Sequence, residues 1–137
     1  GLTLSHTRAH IYRAILEGVA FGMRNILDRM EEGKNTILRL RGCGGATNNA
    51  LWKKIISNIT GKPIVLTSNS DNAGILGSAI IAAVGSGVYK TFEDACSSMT
   101  KVAAVIEPDM AEYEMYEPYY QKYLRLYEET KQLFTAK

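Results

Sequence analysis

The sequence is poor in the residues that build disulfide frameworks and metal centres. It has two cysteines, Cys43 and Cys96, and two histidines, His6 and His10. Two distant cysteines form neither a disulfide scaffold nor a metal-ligand spacing. His6 and His10 stand four residues apart, which puts two ligands on one helix face, but no third ligand follows at a characteristic spacing. A metal site is therefore not expected. Excess charge is missing too: 16 basic and 14 acidic residues leave a net charge of +2. That balance excludes bulk electrostatic attraction to nucleic acid. No long hydrophobic run is present either. The longest weakly polar stretch, Ile75 to Val88, is too short for a bilayer and is broken by Gly77, Ser78, Gly85, Ser86 and Gly87. No secretory leader is visible at residue 1. These absences predict no nucleic-acid partner, no membrane partner and a reducing, cytoplasmic setting.

What is present suits one folded domain. The chain has 137 residues, 46% hydrophobic and 22% charged, which is ordinary globular composition. It opens Gly1-Leu2-Thr3-Leu4, without Met, straight into patterned sequence, so it reads as part of something longer. Long helical stretches alternate with short β-rich runs, which predicts an α/β fold in the order α-β-α-β-α-α-β-α. The first helix is expected over 7–32, with Ile11, Ile15, Val19, Met23, Ile26, Leu27 and Met30 on one face. A strand is expected over 36–41. Thr47 or Asn48 is a suitable N-cap for a second helix over 49–60. Gly61 ends that helix and Pro63 precedes a strand, Ile64 to Thr67. Residues 68–71 read as a loop. A third helix over 73–84 is apolar on nearly all sides, so it is expected to be buried on both sides or covered by another domain. Thr91 caps a short helix ending at Met99, Val102 to Ile106 form a strand, and a long helix runs from Met110 to Phe134.

The informative feature is strand, glycine-rich turn, helix at Gly42-Cys43-Gly44-Gly45-Ala46. Glycine lets the backbone adopt positive φ and approach a ligand. The helix start behind it offers unpaired N–H groups and a partial positive charge, which suits a phosphate or nucleotide. Between Lys34 and Ser70 lie Lys34, Arg39, Arg41, Lys53, Lys54 and Lys62, and no acid. A plain tight turn beside a solvated basic face explains the same residues. The turn is not a P-loop, because Ala46-Thr47 follows Gly45 where Lys-Ser or Lys-Thr is needed. It is not a dinucleotide turn, because Thr47 holds the third glycine position and the later ribose-binding acid is missing.

Three blocks in order resemble the C-terminal domain of the FGGY carbohydrate kinases. Arg13-Ala14-Ile15-Leu16-Glu17-Gly18-Val19-Ala20 is similar to the helix before the turn. Gly44-Gly45-Ala46, Asn48-Asn49, Leu51-Trp52 and Ile59 to Val65 are similar to the Gly-Gly-Gly-Ala turn, the Leu-Trp pair and the Gly-(Lys/Arg)-Pro-Val step. Asp71 to Ala79, with Ala82 to Tyr89, is similar to the block after it, and Tyr113 to Tyr127 resembles the closing helix. Cys43 departs from the first common glycine. The resemblance implies an actin-like, ribonuclease-H-like fold in which two domains enclose ATP, Mg²⁺ and a sugar or polyol. It implies that residues 1–137 are the latter portion of the C-terminal, ATP-binding domain, with the sugar-binding, catalytic domain absent. It implies that Gly44, Gly45 and Ala46 line the ATP site and that Asn48 or Asn49 approaches the adenine. The family's catalytic base is an aspartate of the N-terminal domain, so no catalytic residue is assigned in this chain. The substrate implied first is xylulose, among pentuloses and related polyols.

Other features take blander readings. Asp71 precedes a helix and suits a turn or cap. Glu17 lies in an apolar helix and suits a hydrogen-bonded structural role. Trp52 serves equally as cover for a base or as core. Tyr113, Tyr116, Tyr120, Tyr123 and Tyr127 recur three or four apart and are expected to pack against the sheet rather than stack on bases. The competing function is a non-catalytic actin-like nucleotide-binding or assembly module. With three strands and an apolar third helix, a homodimer or other self-association of the fragment is also expected.

Overall fold

The computed structural model describes residues 1–33, 35–68 and 70–135, with the side chains of Ala46 and Thr135 outside the description. The order of elements follows the pattern of the sequence. Helix α1 (Arg8–Glu32) leads to β1 (Leu40–Gly42), a 3-10 turn (Gly45–Asn48) and α2 (Ala50–Thr60). Strand β2 (Ile64–Thr67), a second 3-10 turn (Ser70–Asn72), α3 (Ala73–Gly85), α4 (Phe92–Met99), β3 (Val102–Ile106) and α5 (Met110–Thr135) follow. The sheet order is β1-β2-β3. Strand β1 runs parallel to β2, and β3 runs antiparallel to it, pairing Ile64 with Ile106 and Leu66 with Ala104.

Strand β1 is shorter than the expected run over 36–41. A strand needs a neighbour, and β2, which starts only after Pro63, is the one β1 has among the described residues. Leu40 N–H donates to Pro63 O at 2.9 Å, while farther back Ile37 N–H donates to the carboxylate of Glu31 at 2.9 Å instead of joining a ladder. Helix α2 starts one residue later than predicted, and its cap is Asn49 rather than Thr47 or Asn48. Thr47 is spent elsewhere: its hydroxyl donates to Gly44 O at 2.6 Å.

The core lies between one face of the sheet and a layer of α1, α2 and α5. Ile55, Ile56 and Ile59 of α2 meet Ile64 and Leu66 of β2, Leu16, Ala20 and Phe21 of α1, and Tyr116 and Tyr120 of α5. Burying a side chain such as Phe21 stabilises by about 1.5–3 kcal/mol. The expected apolar face of α1 is not the buried one. Leu16, Ala20, Phe21 and Arg24 are buried, whereas Ile11, Ile15, Val19, Ile26 and Met30 are exposed. The helix is apolar over more than one face, and periodicity does not say which face α2 and α5 cover. Helix α3 packs against α4 and buries only Ile80, leaving Ile75 and Ile81 exposed, so within this chain it is not buried on both sides.

The tyrosines of α5 pack, but on α1 rather than on the sheet. Phe21 meets Tyr116, Tyr120 and Tyr123 at centroid distances of 6.0, 6.0 and 5.7 Å, while Tyr127 stays exposed. Their hydroxyls make the seam polar. Tyr116 donates to Glu17 at 2.8 Å and accepts from Arg13 at 2.8 Å, and Tyr120 donates to Asp28 at 2.5 Å. Glu17 therefore holds the structural role expected of it. Buried Arg24 donates to Tyr113 and Glu117 and lies 4.1 Å from the centroid of the Tyr120 ring. At the other end of the seam, fully buried Asn58 of α2 donates to Glu112 at 2.5 Å and accepts from Asp109 N–H at 2.9 Å, fixing the start of α5.

Burial, and then donation to a carboxylate, raises the Tyr116 and Tyr120 phenols above their ordinary value. The folded chain thus holds these protons more tightly than the unfolded chain. The contribution to stability is complete below about pH 10, the ordinary phenol value, and is lost as pH rises through the folded values. Urea unfolding midpoints should fall from pH 9 to pH 11, and a Tyr116→Phe/Tyr120→Phe variant should fall less over that window.

Candidate functional site

The glycine turn is built where β1 ends against β2. A Cβ on Gly42 would stand 2.8 Å from Leu66 Cδ2 and 3.1 Å from Ile64 Cγ2, so any side chain there would require Leu66 to shift. Gly44 has φ +80°, the left-handed region that glycine enters without strain. Its N–H donates to Ser70 O at 2.9 Å, and Thr47 N–H donates back to Gly44 O at 3.0 Å. The second 3-10 turn is therefore tied to the first. Asp71 sits on that second turn, and its carboxylate accepts from the Thr47 hydroxyl at 3.4 Å, a turn role as expected.

The expected site residues fall on one continuous segment. Gly44 leads into the 3-10 turn that contains Gly45, Ala46 and Asn48, and Asn49 caps α2 directly behind it. Gly45 is exposed, and a Cβ there would meet nothing within 4 Å. That open backbone is what a ligand lying against the turn requires. Asn48 is exposed. Asn49 is half-buried and used twice: its Oδ1 accepts from Trp52 N–H at 3.1 Å, and its Nδ2 donates to the Tyr12 hydroxyl at 3.1 Å. Tyr12 drew no attention in the sequence, because it lies 37 residues away and only the packing of α1 on α2 brings it to the turn.

A cavity of about 180 Å³ opens beneath the turn, lined among others by Met23, Arg41, Gly42, Cys43, Thr47 and Lys53. The basic stretch does not converge on it as a whole. Arg41 and Lys53 line the cavity, but Lys62 pairs with Glu31 at 2.8 Å and Lys54 donates to Glu107 O at 3.3 Å. Lys34 lies outside the described residues. The Lys62 ammonium and the Ile37 N–H together hold the Glu31 carboxyl below the usual carboxylate range. Trp52 packs against the core cluster with its Nε1 buried and unpartnered among the described residues, so its indole serves the core.

The turn thus leaves the backbone at Gly45 open. No group of three or more His, Cys, Asp or Glu side chains comes together among the described residues. His6 and His10 each spend Nδ1 on a backbone N–H, of Thr3 and Thr7 respectively.

Residues 1–86 match the model of the C-terminal domain of the FGGY family of carbohydrate kinases. The chain belongs to the FGGY family. Among curated relatives, the L-xylulose/3-keto-L-gulonate kinase of Escherichia coli is 34% identical over 126 residues, 92% of this chain and 25% of that protein. Among solved structures, the xylulose kinase of Rhodospirillum rubrum superposes with a TM-score of 0.83 at 29% identity, over 99% of this chain and 28% of that one. The glycerol kinase of Plasmodium falciparum, solved with ADP, superposes with a TM-score of 0.75 at 26% identity, over 91% of this chain and 25% of that one. The α/β architecture is thus a portion of the actin-like, ribonuclease-H-like fold of FGGY kinases. The chain spans about a quarter of the length of the curated relatives it matches.

The geometry separates two neighbouring glycines. Gly44→Ala should destabilise the chain by about 1 kcal/mol, because alanine is strained at its positive φ. Gly45→Ala should change stability by less than about 0.5 kcal/mol, because its Cβ enters open space. Urea unfolding of the two variants checks the difference.

Proposed function

We propose that this chain is the nucleotide-binding portion of an ATP-dependent sugar kinase whose substrate is a pentulose, xylulose first. The observation that carries the reading is the open backbone at Gly45 on a strand-turn-helix segment inside the family match. Gly44, Gly45 and Ala46 are the residues proposed to lie against ATP, with Asn49 rather than Asn48 toward the base, since Asn49 is the one held in place by two hydrogen bonds. The E. coli and R. rubrum relatives carry xylulose in their names, and the P. falciparum relative was solved with ADP; these favour the substrate and the nucleotide respectively.

ATP supplies the transferable phosphoryl group. In the proposed reaction a sugar hydroxyl loses its proton to a carboxylate base and its oxygen bonds to the γ-phosphorus as the bond to the ADP oxygen breaks. This chain provides neither the base nor the sugar contacts. Its task is positioning, and a turn fixed at Gly42, Gly44 and Thr47 gives the nucleotide a rigid wall. Mg²⁺ is proposed to accompany ATP with its protein ligands outside residues 1–137. No helix among the described residues is long and apolar enough to cross a membrane, and a cytoplasmic setting is proposed.

The full-length protein, given ATP, Mg²⁺ and a panel of ketoses and polyols, should release ADP in a sugar-dependent manner, most strongly with a pentulose. Absence of sugar-dependent ADP release across the panel would overturn the kinase reading. Retained ATP binding in that case would favour the non-catalytic module.

A further inference from the structure

Tyr12 is half-exposed on the first turns of α1, yet its hydroxyl reaches the cap of α2. The orientation of the Asn49 amide is fixed by the cap. Oδ1 must face the Trp52 N–H, so the NH₂ group is the one that meets Tyr12 at 3.1 Å. An asparagine amide has two N–H donors and two acceptor lone pairs. The cap uses one lone pair and Tyr12 uses one N–H. One donor and one acceptor remain on the same amide, the pair with which asparagine recognises adenine in a bidentate contact. The Tyr12 oxygen accepts from Asn49, so its own proton is left for a further acceptor.

We propose that Tyr12 is a positioning residue for the nucleotide base, holding the Asn49 amide in the orientation that selects adenine over guanine. The proposal rests on the reading of the glycine turn as a nucleotide site. A cap alone pins one end of the amide, and a second anchor removes the rotation that would otherwise be lost on binding. Tyr12 stands outside the buried cluster, so its hydroxyl can be removed without disturbing the core. On the edge that asparagine reads, adenine presents an amino donor beside the N7 acceptor, whereas guanine presents two acceptors, O6 and N7, so an amide oxygen fixed for the adenine amino group faces an oxygen in guanine.

The test compares Tyr12→Phe and Gly45→Val in the full-length protein, using sugar-dependent ADP or GDP release with ATP or GTP, ATP affinity by calorimetry and thermal melting. Tyr12→Phe should raise the KM and Kd for ATP about threefold to tenfold, the worth of one hydrogen bond. It should leave kcat within about twofold, because a contact to the base is made equally before and during transfer. The preference for ATP over GTP should fall by a similar factor, with the melting temperature lowered by no more than a few degrees, the loss of one exposed hydrogen bond. Gly45→Val should weaken ATP binding more severely. If Gly45→Val weakens ATP and Tyr12→Phe changes neither affinity nor preference, the role of Tyr12 is overturned and the turn stands. If neither variant alters ATP affinity, the turn itself is not the nucleotide site and both ideas fall. A Tyr12→Phe variant that loses kcat or melting temperature with the ATP/GTP ratio intact is structural, which also overturns the proposal.

Discussion

Helix α2 is held at both ends, and its seating decides where the glycine turn lies. Six consecutive residues, Ile55 to Thr60, are buried. Three of them are isoleucines that fill the space between the sheet and the helices. The polar members are satisfied: Ser57 donates to Lys62 O and Ile106 O, Asn58 binds the start of α5, and Thr60 donates to Ile56 O. Hydrogen bonds of this kind offset the cost of burying polar groups and define one seating of the helix. At the other end Asn49 caps the helix, and the turn is the segment between that cap and the end of β1. Its path is set by rigid elements on both sides.

The seam between α1 and α5 has a different character. Its tyrosines join an aromatic contact with Phe21 to hydroxyl-carboxylate bonds with Glu17 and Asp28. Arg24 is buried there with Nη1 unpartnered among the described residues, and its guanidinium lies against two tyrosine rings. Such a seam fixes orientation more than it adds raw stability, because charged groups lose hydration when buried. The consequence reaches the site. Helix α1 carries Tyr12 to Asn49 and Met23 to the cavity beneath the turn. The orientation of α1 on α5 and α2 therefore sets two walls of the candidate site.

Much of this was legible in the sequence, for local reasons. The helices and the two later strands follow from periodicity and from glycine, proline and threonine at their ends, all short-range signals. The glycine turn was legible because Gly42, Gly44 and Gly45 lie within four consecutive residues of the chain. What was not legible depends on partners. The length of β1 is set by where β2 begins. The buried face of α1 is set by α2 and α5, and a helix with apolar residues around much of its girth does not announce the choice. Asn49 won the cap because Thr47 turned to Gly44 and Asp71. The Tyr12–Asn49 contact has no local signature at all. Lys54 and Lys62 belong to the basic stretch in sequence but are drawn off by Glu107 and Glu31.

The proposed nucleotide site of this FGGY-family chain is the open, rigid turn from Gly44 to Asn49. The most direct measurement is a crystal structure of the full-length protein with a non-hydrolysable ATP analogue. Phosphate or ribose density is expected against the backbone of Gly44 and Gly45, with the base edge in hydrogen-bond reach of the Asn49 amide. An analogue bound elsewhere, with the turn facing only solvent, would contradict it.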